Sequence, residues 1–178
     1  MTYPTFTNGQ VLPASDLNAI VLWLVKSQTV GTGVSSVTVT GAFSADYENY
    51  KIVYSGSVGS TVGDIRLTMN NATANWYGSL IYGVYNANSV FGLGTNNAAN
   101  YPYCGSFDTS YVAVDMDVLQ PFSSSYSTVV AGVFHGNLSM GTFNARHAAL
   151  ASQTGFTLTA STGTLTGGTI SVYGYRKA

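Results

Sequence analysis

Val112-Ala113-Val114-Asp115-Met116-Asp117-Val118 alternates apolar and small or charged side chains without a break. A period of two sends successive side chains to opposite faces, the mark of a half-buried β-strand. The same alternation recurs outward in both directions. Tyr50, Ile52 and Tyr54 alternate with Lys51, Val53 and Ser55, and Ile65, Leu67 and Met69 with Arg66 and Thr68. Ile170, Val172 and Gly174 alternate with Ser171, Tyr173 and Tyr175. Val37–Thr40, Ser79–Tyr85, Thr128–Leu138, Thr142–Leu150 and Phe156–Thr159 are further strand candidates. Turn clusters separate them at Met69-Asn70-Asn71-Ala72, Thr95-Asn96-Asn97-Ala98 and Thr166-Gly167-Gly168. The pattern predicts an all-β domain over residues 34–178. It should be an antiparallel, jelly-roll-like β-sandwich of about eight or nine strands in two sheets.

Residues 1–33 read differently. MTYPTFTNGQVLP (1–13) holds two of the four prolines and an Asn-Gly turn signal, and reads as an extended arm. Ser15 then offers an N-cap oxygen and Asp16 a first-turn negative charge. Leu17, Ile20, Val21 and Leu24 fall at helical spacing, which predicts a helix from Asp16 to Lys26 and a hinge over Gln28–Gly33. Leu22, Trp23 and Val25 lie off that stripe, and a helix apolar all round must be covered all round. The expectation is that copies of this helix meet one another or seat on another protein. Tyr3, Phe6, Val11 and Leu12 would be apolar anchors of the arm.

Composition narrows the function. Only 7% of residues are charged, against roughly 25% in ordinary soluble domains. Solubility therefore rests on Ser, Thr, Asn, Gly and the hydroxyls of 13 tyrosines. Tyrosine buries large area while keeping a polar tip, which favours interfaces, and Tyr173 and Tyr175 sit where a strand's second face points outward. Such a surface suits lasting contact with copies of the chain or with a larger assembly. Lys26, Lys51, Arg66, Arg146, Arg176 and Lys177 are scattered, which argues against a nucleic-acid partner. The longest apolar run, Ala19–Val25, is far short of the roughly 20 residues of a membrane span. Met1 leads into Thr-Tyr-Pro-Thr without a secretory pattern, so assembly in a cytoplasm is expected.

No constellation in the sequence demands catalysis. Asp115 and Asp117 share a strand face and, with Asp108, make a minority calcium hypothesis, but no calcium loop surrounds them. His135 and His147 belong to no HExxH or HxH pattern, and Cys104 has neither a CxxC partner nor an adjacent His. The Gly92-Leu93-Gly94 pair lacks the rest of a dinucleotide fingerprint, and no GxSxG elbow is present. The reading is a non-enzymatic chain without a cofactor. A competing surface exists: Trp76, Tyr77, Tyr82, Tyr85 and the Asn-rich stretch near 86–100 form a candidate aromatic platform, either for a subunit interface or for glycans.

Three segments carry a resemblance. Phe6–Asn18 (FTNGQVLPASDLN) is similar to an N-terminal segment of tailed-bacteriophage virion proteins. Phe43–Ile52 (FSADYENYKI) and Gly167–Arg176 (GGTISVYGYR) resemble the entry and closing strands of phage β-sandwich modules. The resemblance implies a trimeric β-sandwich on the particle surface, anchored by its N-terminal segment. A capsid decoration (cement) protein attached to the major capsid protein is the expectation. The alternative is a tail-fibre or spike module that binds a host receptor or glycan.

Overall fold

The computed structural model describes residues 22–70 and 72–175. These form fourteen strands: β1 (Leu22–Thr29), β2 (Ser36–Val39), β3 (Asn49–Ser55), β4 (Val58–Gly59), β5 (Gly63–Met69), β6 (Trp76–Val84), β7 (Ser89–Ala98), β8 (Tyr101–Phe107), β9 (Val112–Leu119), β10 (Thr128–His135), β11 (Ser139–His147), β12 (Phe156–Ala160), β13 (Leu165–Thr166) and β14 (Thr169–Tyr175). Eight of them run side by side in the order β1-β14-β3-β9-β10-β11-β6-β7. Four more form β2-β12-β5-β8, and β4 pairs with β13. All pairings are antiparallel. The two larger sheets join where the end of β8 meets the start of β9, at Ser106↔Ala113 and Phe107↔Val112.

The all-β reading holds, and the architecture is sandwich-like. One core takes alternate side chains from both sheets: Tyr50, Ile52, Val114, Met116, Ile170 and Val172 from the large sheet, and Val39, Ile65, Leu67, Cys104, Phe156 and Leu158 from the small one. Several tyrosines are core residues and not interface residues. Their hydroxyls stay paired inside: Tyr50 donates to the Ser44 carbonyl at 3.0 Å, Tyr101 to the Ser79 carbonyl at 3.1 Å, and Tyr54 shares a 2.8 Å bond with Ser57. A paired phenol is cheap to bury, whereas an unpaired one costs about 1–3 kcal/mol. At the junction of the sheets Gly105 is required by space, since a Cβ there would lie 2.3 Å from the Ala113 carbonyl oxygen.

Four expectations need correction. The predicted helix is overturned where it can be seen: Leu22–Lys26 lies in β1, paired with β14 from Leu22↔Tyr175 onward, and Gln28 and Thr29 continue the strand in place of a hinge. Residues 16–21 of that helix and the arm, with Tyr3, Phe6, Val11, Leu12, Leu17, Ile20 and Val21, lie outside the described residues. A short apolar run fits helix and strand periods equally, and here an available edge of β14 decided. A bulge between Leu24 and Lys26 lets Val25 pack on the core while Leu24 faces water. Second, Thr95-Asn96-Asn97-Ala98 is not a turn but the end of β7. Asn97 takes its positive φ at a break in register opposite Trp76–Gly78. Third, the fourteen strands of the described residues outnumber the eight or nine expected, and β7 and β8 lie where no strand was predicted. Fourth, Trp76 is fully buried and belongs to no surface.

Candidate functional site

The outer face of the eight-stranded sheet can be read row by row from its registers. One row runs Leu24-Tyr173-Lys51-Asp117-Ala131-Asn144-Ser79-Gly94. The next runs Ser27-Ser171-Val53-Asp115-Val133-Thr142-Ile81-Gly92. Flanking rows carry Leu119-Val129-Arg146-Tyr77 and His135-Met140-Gly83-Val90. Ile81 is 59% exposed, Met140 62% and Val90 75%, and Leu119, Val129 and Val133 are also exposed. Isolated exposed aliphatics are ordinary; neighbouring ones on one face mark an interaction surface.

The charges on this face are few, and they meet one opposite charge or a tyrosine. Lys51 makes an ion pair with Asp115. The Tyr175 hydroxyl donates to Asp117 at 2.5 Å, and burial together with that carboxylate pushes the phenol up to about 12. Arg146 lies 5.7 Å over the ring of Tyr77. The two aspartates do share a face, each with its own partner. Asp108 is elsewhere: in the β8–β9 turn its carboxylate accepts the Ser110 amide at 2.6 Å and the Tyr111 amide at 3.2 Å. These bonds, led by those from Ser110, hold its pKa below the usual range. Among the described residues no three His, Cys, Asp or Glu side chains gather to hold a metal ion.

The other titratable candidates are structural. Cys104 is fully buried and its thiol donates to the Ile65 carbonyl at 3.2 Å, and burial raises its pKa far above the reactive range. His147 is buried with its ring 5.1 Å from that of Trp76 and its Nδ1 unpaired. Burial holds its imidazole below the usual pKa, partly offset by a bond to the Ala74 backbone. His135 sits at the end of β10, on the outer face.

The aromatic platform read from the sequence is dispersed. Tyr77, Tyr173 and Tyr175 are on the outer face, Trp76 is in the core, and Tyr85 is exposed at the β6–β7 turn. Tyr82 points inward and lines a cleft of about 170 Å³ with Asp64, Leu80, Leu93, Tyr103, Phe134 and Ser139. Sequence reasoning missed Ile81, Val90, Val129, Val133 and Met140. The available signal was strands apolar on both faces, as in Thr128–His135 (TVVAGVFH). It also missed Asp64, whose strand alternation says nothing of what lies across from it.

Fold and surface together define an all-β, sandwich-like protein with a charge-poor, apolar outer sheet face. No protein-family model, curated protein or solved structure matches the chain. The likeness to phage virion proteins therefore stands on the three quoted segments alone.

Proposed function

We propose that the protein is a non-enzymatic structural subunit of a tailed-bacteriophage virion, a trimeric capsid decoration (cement) protein at the particle surface. In this reading its N-terminal segment attaches it to the major capsid protein, and it is assembled in the host cytoplasm. The observation that carries an assembly role is the outer face just described, where exposed aliphatics adjoin and the few charges meet one opposite charge or a tyrosine. Two further features support it. Leu22, Trp23 and Leu24 are exposed together on β1, the strand that begins the described residues. The opposite edge, β7 (SVFGLGTNNA), carries no charge to discourage pairing with another strand. We read the strand order β1-β14-β3-β9 against β2-β12-β5-β8, with successive frame strands crossing between sheets except from β5 to β8, which pair within the small one, as a jelly roll. The β6–β7 and β10–β11 hairpins are insertions that widen one sheet. Three linked subunits would bind a shell with avidity that no single anchor supplies, and would stabilise it by mass action.

The test is a truncation ending at residue 21, which spares β1. Particles mixed with the truncated chain should lose it on sedimentation while the full chain stays bound. Attachment by the truncated chain overturns the anchoring reading. A second reading, a tail-fibre or spike module that holds a host receptor or glycan, is favoured by Tyr85 and Phe91, both exposed on the β6–β7 hairpin.

A further inference from the structure

The β6–β7 hairpin carries the large sheet past the edge of the small one. Inner-face side chains on this overhang are therefore only half covered. Leu80 on β6 is buried, while its β7 partner Leu93 and the neighbouring Phe91 remain exposed. Where the overhang meets β5 and β8 lies the cleft lined by Asp64, Tyr82, Leu93, Tyr103, Phe134 and Ser139.

Its chemistry divides cleanly. Tyr82 and Phe134 form one wall, their ring centroids 6.4 Å apart, and Phe91 stacks on Tyr82 at 5.6 Å to extend it. Tyr103 stands across the cleft, its ring edge-on to buried Tyr101. Against these surfaces are three polar groups: the Asp64 carboxyl and the hydroxyls of Tyr103 and Ser139. None of the three takes a side-chain hydrogen bond or an ion pair among the described residues, whereas the Asp64 backbone amide is held by Ser161 at 2.8 Å. All three groups are half-exposed, so they are open to water or to a ligand in the cleft. Burial pushes the Asp64 carboxyl up, and Arg66 two residues along the strand partly opposes it.

The lining decides the ligand's character: one carboxyl and two hydroxyls stand against aromatic surface, and no basic side chain faces the cleft. A neutral ligand with several hydroxyls and an apolar face matches it. Size restricts it further, because about 170 Å³ is well below the roughly 300–1,000 Å³ of a drug-sized pocket and admits a single ring. We propose that this cleft binds one neutral pyranose ring of a glycan, its C–H face on Tyr82 and Phe134 and its hydroxyls on Asp64, Tyr103 and Ser139. The inference deepens the receptor reading and rests on it; the cement reading neither needs nor forbids it.

The test is amide NMR of the full chain titrated with D-glucose, D-galactose, D-mannose and N-acetyl-D-glucosamine, with tetramethylammonium and cyclohexanol as controls. At least one sugar should shift resonances of residues 64, 82, 103 and 139 at millimolar concentration. Asp64→Asn and Tyr103→Phe should each weaken that sugar roughly tenfold, with melting unchanged. Tyr103→Phe keeps the ring, so it carries the test should Asp64→Asn fold poorly. Sugar shifts confined to the Tyr85 turn overturn the cleft but keep a receptor role. No shift with any sugar overturns the cleft together with the glycan form of the receptor reading. Equal shifts with tetramethylammonium or cyclohexanol, or sugar affinity untouched by both variants, also overturn the proposal.

Discussion

Replacing Ile81 and Val133 with lysine should abolish self-association and leave the fold intact. The two residues flank Thr142 in one cross-strand row of the outer face. Full burial of an Ile or Val side chain is worth about 1.5–3 kcal/mol. Ile81 still shows 59% of itself to water and Val133 39%. A contact between copies therefore has about 1–2 kcal/mol left to gain from Ile81 and about 0.5–1 from Val133 on each side. In a face-to-face contact, counted on both partners, the double variant forfeits about 3–6 kcal/mol, which is at least a hundredfold in the dissociation constant. Like-charged lysines facing each other add to the loss. Neither residue contributes to the core, so melting should move little, as for most surface changes. Sedimentation equilibrium of the two proteins over a concentration series measures the effect. An unaltered association constant in the variant, or a wild-type chain that stays monomeric at high concentration, refutes the argument that this face is covered by other copies.

Two further outcomes follow from buried groups. His147 is held neutral in the fold, with a pKa below the 6.5 of a free imidazole. The unfolded chain therefore takes up its proton first, and the stability tied to the neutral ring, complete above about pH 6.5, drains away as pH falls toward the lower folded value. Melting temperature measured from neutral to mildly acidic pH should fall more steeply for wild type than for His147→Gln; parallel curves would exclude the mechanism. Gly105→Ala drives a Cβ against the Ala113 carbonyl where the two sheets join, and should cost about 1–3 kcal/mol as overpacking, read by urea denaturation. An unchanged urea midpoint would mean that the β8–β9 junction yields more easily than its geometry implies.

Alternation determined a large part of this protein before any coordinates. Tyr50–Ser55, Ile65–Met69, Val112–Val118 and Ile170–Tyr175 each bury the face that their period predicted, because a strand offers its side chains only two directions. Asp115 and Asp117 are outward together for the same reason. Position in space was another matter. Leu22–Thr29 carries an apolar run that satisfies a helix as readily as a strand, and only the free edge of β14 settled it. Trp76 and Tyr82 sit six residues apart on one strand and both face inward, yet Trp76 is sealed under Tyr101 while Tyr82 borders a cleft. What separates them is how far the small sheet reaches across the large one, which no local pattern encodes. Asp64 likewise meets Tyr82 and Phe134 only through strand order. Local periodicity sets which way a side chain points; the partner strand and the opposing sheet decide whether anything is there to meet it.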